Sequence, residues 1–113
     1  MAEIDGVPQV DPTEVANGAF LLDVRTPDEW NAGHAPDAVH LPLARLIEDH
    51  QDVLPDDGTP IVAICRVGSR SQTAAVALRR AGYDVVNLAG GMQAWANAGK
   101  DVVTDDGSPG SIV

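Results

Sequence analysis

A single cysteine, Cys65, stands in the 113 residues, so no disulfide can close within the chain and no cysteine-rich zinc site can be assembled. A lone free thiol also suits a reducing compartment, and a cytoplasmic location is expected. No stretch approaches the roughly 18 consecutive apolar residues that span a bilayer. Met1 to Asp11 has neither a basic start nor an apolar run, so no export signal is expected. Basic residues are scarce, 7 against 17 acidic, and the net charge of -10 is the reverse of a nucleic-acid footprint. Neither nucleic acid nor a membrane is an expected partner. Internal repeats and long low-complexity tracts are missing too, which leaves nothing to join two domains.

What is present fits one domain able to bury a core without staples, given 113 residues and 44% hydrophobic content. Apolar runs and helix-compatible segments alternate. Ala19 to Val24 precedes Pro27 to Ala32, and Ala38 to Leu41 precedes Leu43 to Gln51. Pro60 opens Ile61-Val62-Ala63-Ile64-Cys65, the unbroken apolar run of a strand buried on both faces. Ser71 to Ala81 reads as a helix closed by Gly82, with Ser69 or Ser71 as its cap. Asp84 to Leu88 reads as a strand and Met92 to Ala98 as a helix stopped by Gly99. This alternation predicts an α/β fold with a parallel sheet, because parallel strands need crossover connections. The domain is expected over residues 1–103. Residues 104–113, acidic and rich in glycine, serine and proline, are expected to form a flexible tail.

The segment that carries chemistry is Cys65-Arg66-Val67-Gly68-Ser69-Arg70-Ser71, between the clearest strand and the clearest helix. Loops beyond the carboxyl ends of parallel strands expose backbone N–H groups, and the next helix presents its positive end there. Gly68 allows successive N–H groups to curl around one point, and Arg66 and Arg70 add positive charge. A thiol with an ordinary pKa of about 8.5 needs a shift of about two units to be a nucleophile at neutral pH. A helix end supplies only part of that, so loop N–H donors and an arginine are expected to provide the rest. Two readings of Cys65 stand at this point: a small hydrophobe ending a buried strand, or the base of an anion cradle. Arg66 and Arg70 are likewise either solvated charges or ligands for an anion. Four residues separate Cys65 from Arg70, one fewer than in the cysteine phosphatases. Thioredoxin-like chemistry would need a second cysteine, and the Walker glycine-lysine pattern is missing.

Several motifs together resemble the rhodanese family of sulfurtransferases over nearly all of residues 8–100. Leu22-Asp23-Val24-Arg25-Thr26-Pro27-Asp28-Glu29-Trp30 is similar to the family's first signature, and Gly33-His34-Ala35-Pro36-Asp37-Ala38 to its second. Cys65 to Ser71 resembles the active-site loop. Gly82 to Trp95 resembles the closing signature, whose paired glycines, here Gly90 and Gly91, pass near the cysteine loop. Ala35 and Asp37 depart from the family's larger aliphatic residue and glycine.

The resemblance implies a central, mostly parallel five-stranded sheet with helices on both faces. It also implies a two-step reaction: the Cys65 thiolate takes the outer sulfur of thiosulfate or a related donor, sulfite leaves, and the Cys65 persulfide passes its sulfur to a thiol, cyanide or protein acceptor. In this scheme Arg66, Val67, Gly68, Ser69, Arg70 and Ser71 bind the donor, and no metal or organic cofactor takes part. Without a second cysteine the acceptor must be external. Asp23, Arg25, Glu29, His34, Gly90 and Gly91 are expected to support the site. Asp23 is expected to accept loop N–H groups from beneath, Arg25 and Glu29 to form a local pair, and His34 to bond nearby backbone. Trp30 and Trp95 are expected in the core or at the pocket mouth. Two further functions are compatible: a persulfide carrier fed by a desulfurase, and a regulatory module that binds an anion or partner without turnover. Reduction of an oxyanion such as arsenate is the remotest reading.

Overall fold

The computed structural model describes residues 2–113. Strands β1 (Glu3–Ile4), β2 (Val7–Val10), β3 (Phe20–Asp23), β4 (Val39–His40), β5 (Ile61–Ile64) and β6 (Val85–Leu88) form one sheet in the order β1-β2-β6-β5-β3-β4. Every pairing is parallel except β1 with β2. The α/β expectation holds, and a sixth short strand joins the five parallel ones. That strand escapes a periodicity reading because it is two residues long. It is set by the Asp5-Gly6 turn, both of whose residues have positive φ (52° and 78°), as a type I′ two-residue hairpin requires.

Helices α1 (Pro27–Ala32), α2 (Leu46–Val53) and α3 (Ser69–Arg80) lie in crossovers between strands, and α4 (Gly91–Asn97) follows the last strand. Because strand side chains alternate between faces, β5 divides its residues between two cores. Ile61, Ala63 and Cys65 join Leu22, Val24, Leu46 and the α3 residues Ala74, Ala75 and Leu78 on one face. Val62 and Ile64 join Leu21, Ala35 and the α4 residues Met92 and Trp95 on the other. This is why the β5 run is apolar without a break. Among the described residues no helix is long and apolar enough to cross a membrane.

Helix α3 begins at Ser69 with Gly68 (φ 105°) as its cap, two residues ahead of the expected start and without a serine cap bond. Its end follows the sequence more closely: Gly82 takes φ 99° and Tyr83 N–H donates to the Leu78 carbonyl at 3.0 Å, the glycine-closed helix end. Residues 104–113, expected as a flexible tail, lie back against the domain. Gly110 N–H donates to Val102 O at 2.8 Å, Ser111 N–H to Ala32 O at 2.9 Å, and Ile112 packs on the α4-side core.

Candidate functional site

Strand β5 ends at the sheet's carboxyl edge, and the chain turns at once into α3. Cys65 sits in that turn with its side chain on the α3 face, where it has no exposed surface. The turn is held from outside. The first N–H groups of α4 reach the loop carbonyls, Met92 N to Cys65 O at 2.8 Å and Gln93 N to Arg66 O at 3.0 Å. With these carbonyls drawn outward, loop N–H groups face inward. Gly68 N–H donates to Cys65 Sγ at 3.1 Å, and Ser71 Oγ lies 3.3 Å from the same sulfur. Burial pushes the Cys65 thiol up, but the Ser71 hydroxyl and the N–H groups of Ser71, Gly68 and Val67 outweigh it and hold the thiol below its ordinary value.

Gly91 is required for this approach. Its φ of 57° disfavours any side chain, and a Cβ there would overlap Cys65 O and lie 2.6 Å from both C and O of Arg66. Gly90, at φ 75°, also borders the loop, its N lying 3.4 Å from where a Gly68 Cβ would stand, but a Cβ on Gly90 itself would meet Ala94.

The arginines divide differently from the sequence expectation. Arg70 is clamped by Glu29 from α1, with Nη1 to Oε1 at 2.6 Å and Nη2 to Oε2 at 2.8 Å. This bidentate pair holds the Glu29 carboxyl down to about 2, the Arg70 hydrogen bond being the main cause, and raises Arg70 further. The sulfur's hydrogen-bond donors are thus backbone N–H groups and a hydroxyl, not an arginine. Arg66 is exposed and makes no ion pair among the described residues, so it is the loop's uncommitted cation. Val67 is 53% exposed at the loop's tip. Ser69, also exposed, opens α3.

The expected Arg25–Glu29 pair does not form, since Glu29 is taken by Arg70 and Arg25 turns inward to Asp23. Both side chains of the Asp23–Arg25 pair are fully buried, with contacts of 2.7, 2.9 and 3.1 Å, and Arg25 Nη2 also donates to Gly33 O at 2.8 Å. Asp23 therefore accepts from Arg25, including its N–H, rather than from the cysteine loop as expected. The pair fixes the end of β3 against the Gly33 turn. His34 bonds the Ala35 carbonyl through Nδ1 at 3.1 Å and Asp105 through Nε2 at 2.8 Å. Trp30 is half-buried between two imidazoles, His34 at 3.6 Å and His40 at 4.8 Å between ring centres.

Three amide side chains behind the sulfur were not singled out from the sequence. Asn87 Oδ1 lies 2.6 Å from Ser71 Oγ, Asn87 Nδ2 donates to Gln9 Oε1 at 2.9 Å, and Gln9 Nε2 donates to Gln72 Oε1 at 2.7 Å. One signal was available: Asn87 is the lone polar residue inside the apolar run Val85 to Leu88.

Comparison with known proteins places this geometry in a lineage. The model of the rhodanese-like domain matches residues 10–98. A protein named sulfurtransferase from Allochromatium vinosum is 42% identical over 89 residues, covering 78% of this chain and 81% of that one. The crystal structure of a rhodanese-related protein from Thermoplasma volcanium superposes with a TM-score of 0.80 at 27% identity, covering 87% of this chain and 99% of that one. The fold is shared as well by a thiosulfate sulfurtransferase from Pseudomonas aeruginosa, with a TM-score of 0.78 at 24% identity over 95% of this chain but 22% of that longer one. Sequence and fold agree, and the chain belongs to the rhodanese-like domain family of sulfurtransferases.

Proposed function

We propose that the chain moves sulfane sulfur through a persulfide on Cys65, with thiosulfate or a related small anion as donor. The observation that carries this reading is a sulfur held below its ordinary pKa by converging N–H and hydroxyl donors at the start of a 12-residue helix. A cysteine serving only as core filler needs no such donors. In the first half-reaction the thiolate attacks the outer sulfur of thiosulfate. A new S–S bond forms at Cys65, the old one breaks, and its electron pair leaves with sulfite. The extra sulfur then carries the negative charge at the cradle, where the same N–H groups serve it. In the second half-reaction an external thiol or cyanide attacks that sulfur and the Cys65 thiolate leaves. No electrons are gained or lost overall.

Because Cys65 has no exposed surface at rest, the donor reaches it only as the cradle opens. Arg66, free of any ion pair among the described residues, meets the donor's oxygens first. Arg70 can join them only by sharing or leaving Glu29. That clamp favours a second reading, in which a desulfurase supplies the sulfur and a small dianion is a poor donor. A non-catalytic anion module would not need the lowered thiol. Cytoplasmic placement belongs to this proposal, as the setting in which a lone thiol stays reduced.

The test is sulfite release from thiosulfate, with cyanide or a thiol as acceptor, by the wild type and by Cys65→Ser. Turnover that disappears in the variant supports the proposal. Turnover that survives it overturns the role of Cys65, and loading by a cysteine desulfurase without sulfite release selects the carrier.

A further inference from the structure

A serine hydroxyl has one proton and two lone pairs. Ser71 Oγ lies 2.6 Å from Asn87 Oδ1 and 3.3 Å from Cys65 Sγ, so it can donate to only one of them at a time. The orientation of the Asn87 amide is fixed independently. Its Nδ2 donates to Gln9 Oε1 at 2.9 Å and to Gly68 O at 3.0 Å, and a flipped amide would set oxygen against both. Gln9 is fixed in turn, since Nε2 donates to Gln72 Oε1 at 2.7 Å and to Val7 O at 3.1 Å, while Gln72 donates to Ile4 O at 2.8 Å. The series therefore runs one way, from Ser71 to the β1 edge. Asn87 always presents an acceptor to Ser71, and both residues are buried, 2% and 0% exposed.

While Cys65 is a neutral thiol, its S–H can donate to Ser71 Oγ and the Ser71 proton rests on Asn87. When the sulfur is ionised it has no proton to give and two interests converge on Ser71. The hydroxyl turns toward Sγ only by leaving Asn87 Oδ1 buried without a partner, which is unfavourable. The geometry points to Asn87 as a positioning residue that competes with the Cys65 sulfur for the single Ser71 proton. The assignment rests on the sulfur-transfer reading for its use. There the sulfur bonded to Cβ is anionic before attack, neutral once the charge sits on the outer sulfur of the persulfide, and anionic again when the sulfur leaves. The proton turns back to Asn87 when the persulfide forms and returns to Sγ when it is discharged. The motion is a rotation about Cβ–Oγ, so no proton leaves Ser71 and no bond is made or broken. Its effect is to stop Ser71 from stabilising the thiolate so far that it loses nucleophilicity, which falls as a thiol's pKa falls.

The charged and titratable groups around the sulfur are Arg66 in the loop, Arg70 on α3 with Glu29 of α1 behind it, the Asp23–Arg25 pair at the end of β3, and His40 at the end of β4. On the other side β2 and β6 bring only the neutral amides of Gln9 and Asn87. Variants of Asn87 therefore change the contest for the proton and leave these charges in place; they also remove the Nδ2 bond to Gly68 O, an effect that the Ser71→Ala background separates from the contest.

The experiment is the pH profile of alkylation of the reduced protein by iodoacetamide. Asn87→Leu frees the Ser71 proton for the sulfur and is expected to lower the thiol midpoint by about one pH unit. Asn87→Asp keeps an acceptor toward Ser71 and sets its second oxygen against Gln9 Oε1 and Gly68 O; in its ionised form it adds negative charge and is expected to raise the midpoint by about one unit or more. In a Ser71→Ala background the Leu substitution is expected to produce no downward shift. Should the Leu variant not fold, Asn87→Ala removes the same acceptor with less bulk. Shifts in one direction for both Leu and Asp, no shift for either, or a downward shift that persists without Ser71, each overturns the assignment. Alkylation requires no sulfur donor. A protein that shows the expected midpoints but gains no sulfur from thiosulfate or from a desulfurase loses the transfer reading and keeps the Asn87 competition.

Discussion

The Glu29→Gln substitution tests the clamp on Arg70 most directly. Among the described residues Glu29 is the only acid bonded to Arg70, its side chain is 16% exposed, and that of Arg70 is 35% exposed. The glutamine amide would retain an oxygen for one guanidinium N–H, and would remove the charge together with the second acceptor of the bidentate pair. A donor oxyanion on the far side of the guanidinium would lie about 6 Å from the lost carboxylate. At an effective dielectric of about 40, between surface and bulk values, each unit of donor charge is repelled by about 1.4 kcal/mol. A Debye length of about 8 Å at physiological salt roughly halves this, so a dianion gains about 1 to 1.4 kcal/mol, a factor of about five to ten. Steady-state sulfite release is expected to show KM for thiosulfate falling by about that factor, with kcat changed less than about twofold. The gain should shrink in 1 M salt, where the Debye length is about 3 Å. An unchanged or higher KM at low salt would show that Glu29 orients Arg70 for the donor, and the clamp would then not be inhibitory.

Asp23→Asn leaves the fully buried Arg25 guanidinium without its counter-charge and is expected to cost about 3 to 5 kcal/mol in chemical denaturation; a loss under about 1 would contradict the pairing described. Gly91→Ala forces a Cβ onto the Cys65 and Arg66 backbone at positive φ, so about 2 to 4 kcal/mol of stability and at least about tenfold of thiol alkylation rate should go together. Gly90→Ala is the contrast, since its Cβ meets Ala94 and should destabilise while sparing alkylation. The Glu29 carboxyl sits at about 2 in the folded protein against an ordinary 4.5. Its stabilisation is complete above about pH 4.5 and fades as pH falls toward 2, so stability in that window should depend less steeply on pH in Glu29→Gln. Deleting residues 104–113 removes the Gly110 and Ser111 hydrogen bonds and the Ile112 packing, and should cost about 1 to 3 kcal/mol; a truncated protein of unchanged melting temperature would restore the reading of that segment as a free tail.

The legible parts of the sequence were those governed by local rules. The doubly buried β5 run and the glycine that closes α3 follow from periodicity and backbone freedom, and the structure places them as read, while the cysteine loop between them is shorter than read because α3 already begins at Ser69. Pairings between distant residues were not legible. Glu29 and Arg70 are 41 positions apart, so nothing local sets them against each other, whereas Arg25 and Glu29 share a helical spacing that the turn of Arg25 into the core overrides. The capping box explains part of this, since Glu29 also accepts from Thr26 and is thereby fixed on the outer side of α1. Gln9 and Gln72 are polar residues in no motif, and only the adjacency of β2 to β6 and of α3 to β2 joins Asn87 to Gln9 and Gln9 to Gln72. The segment after Val103 has the composition of a disordered tail, and its hydrogen bonds to Val102 and Ala32 are made by backbone, which composition does not reveal.

The covalent step on Cys65 can be observed without any assumption about the acceptor. Reduced protein is incubated with thiosulfate, or with a cysteine desulfurase and cysteine, and its intact mass is measured beside that of Cys65→Ser. A gain of about 32 Da, one sulfur atom, in the wild type and none in the variant is the expected result. No gain with either donor, or an equal gain in the variant, would contradict sulfur transfer through Cys65.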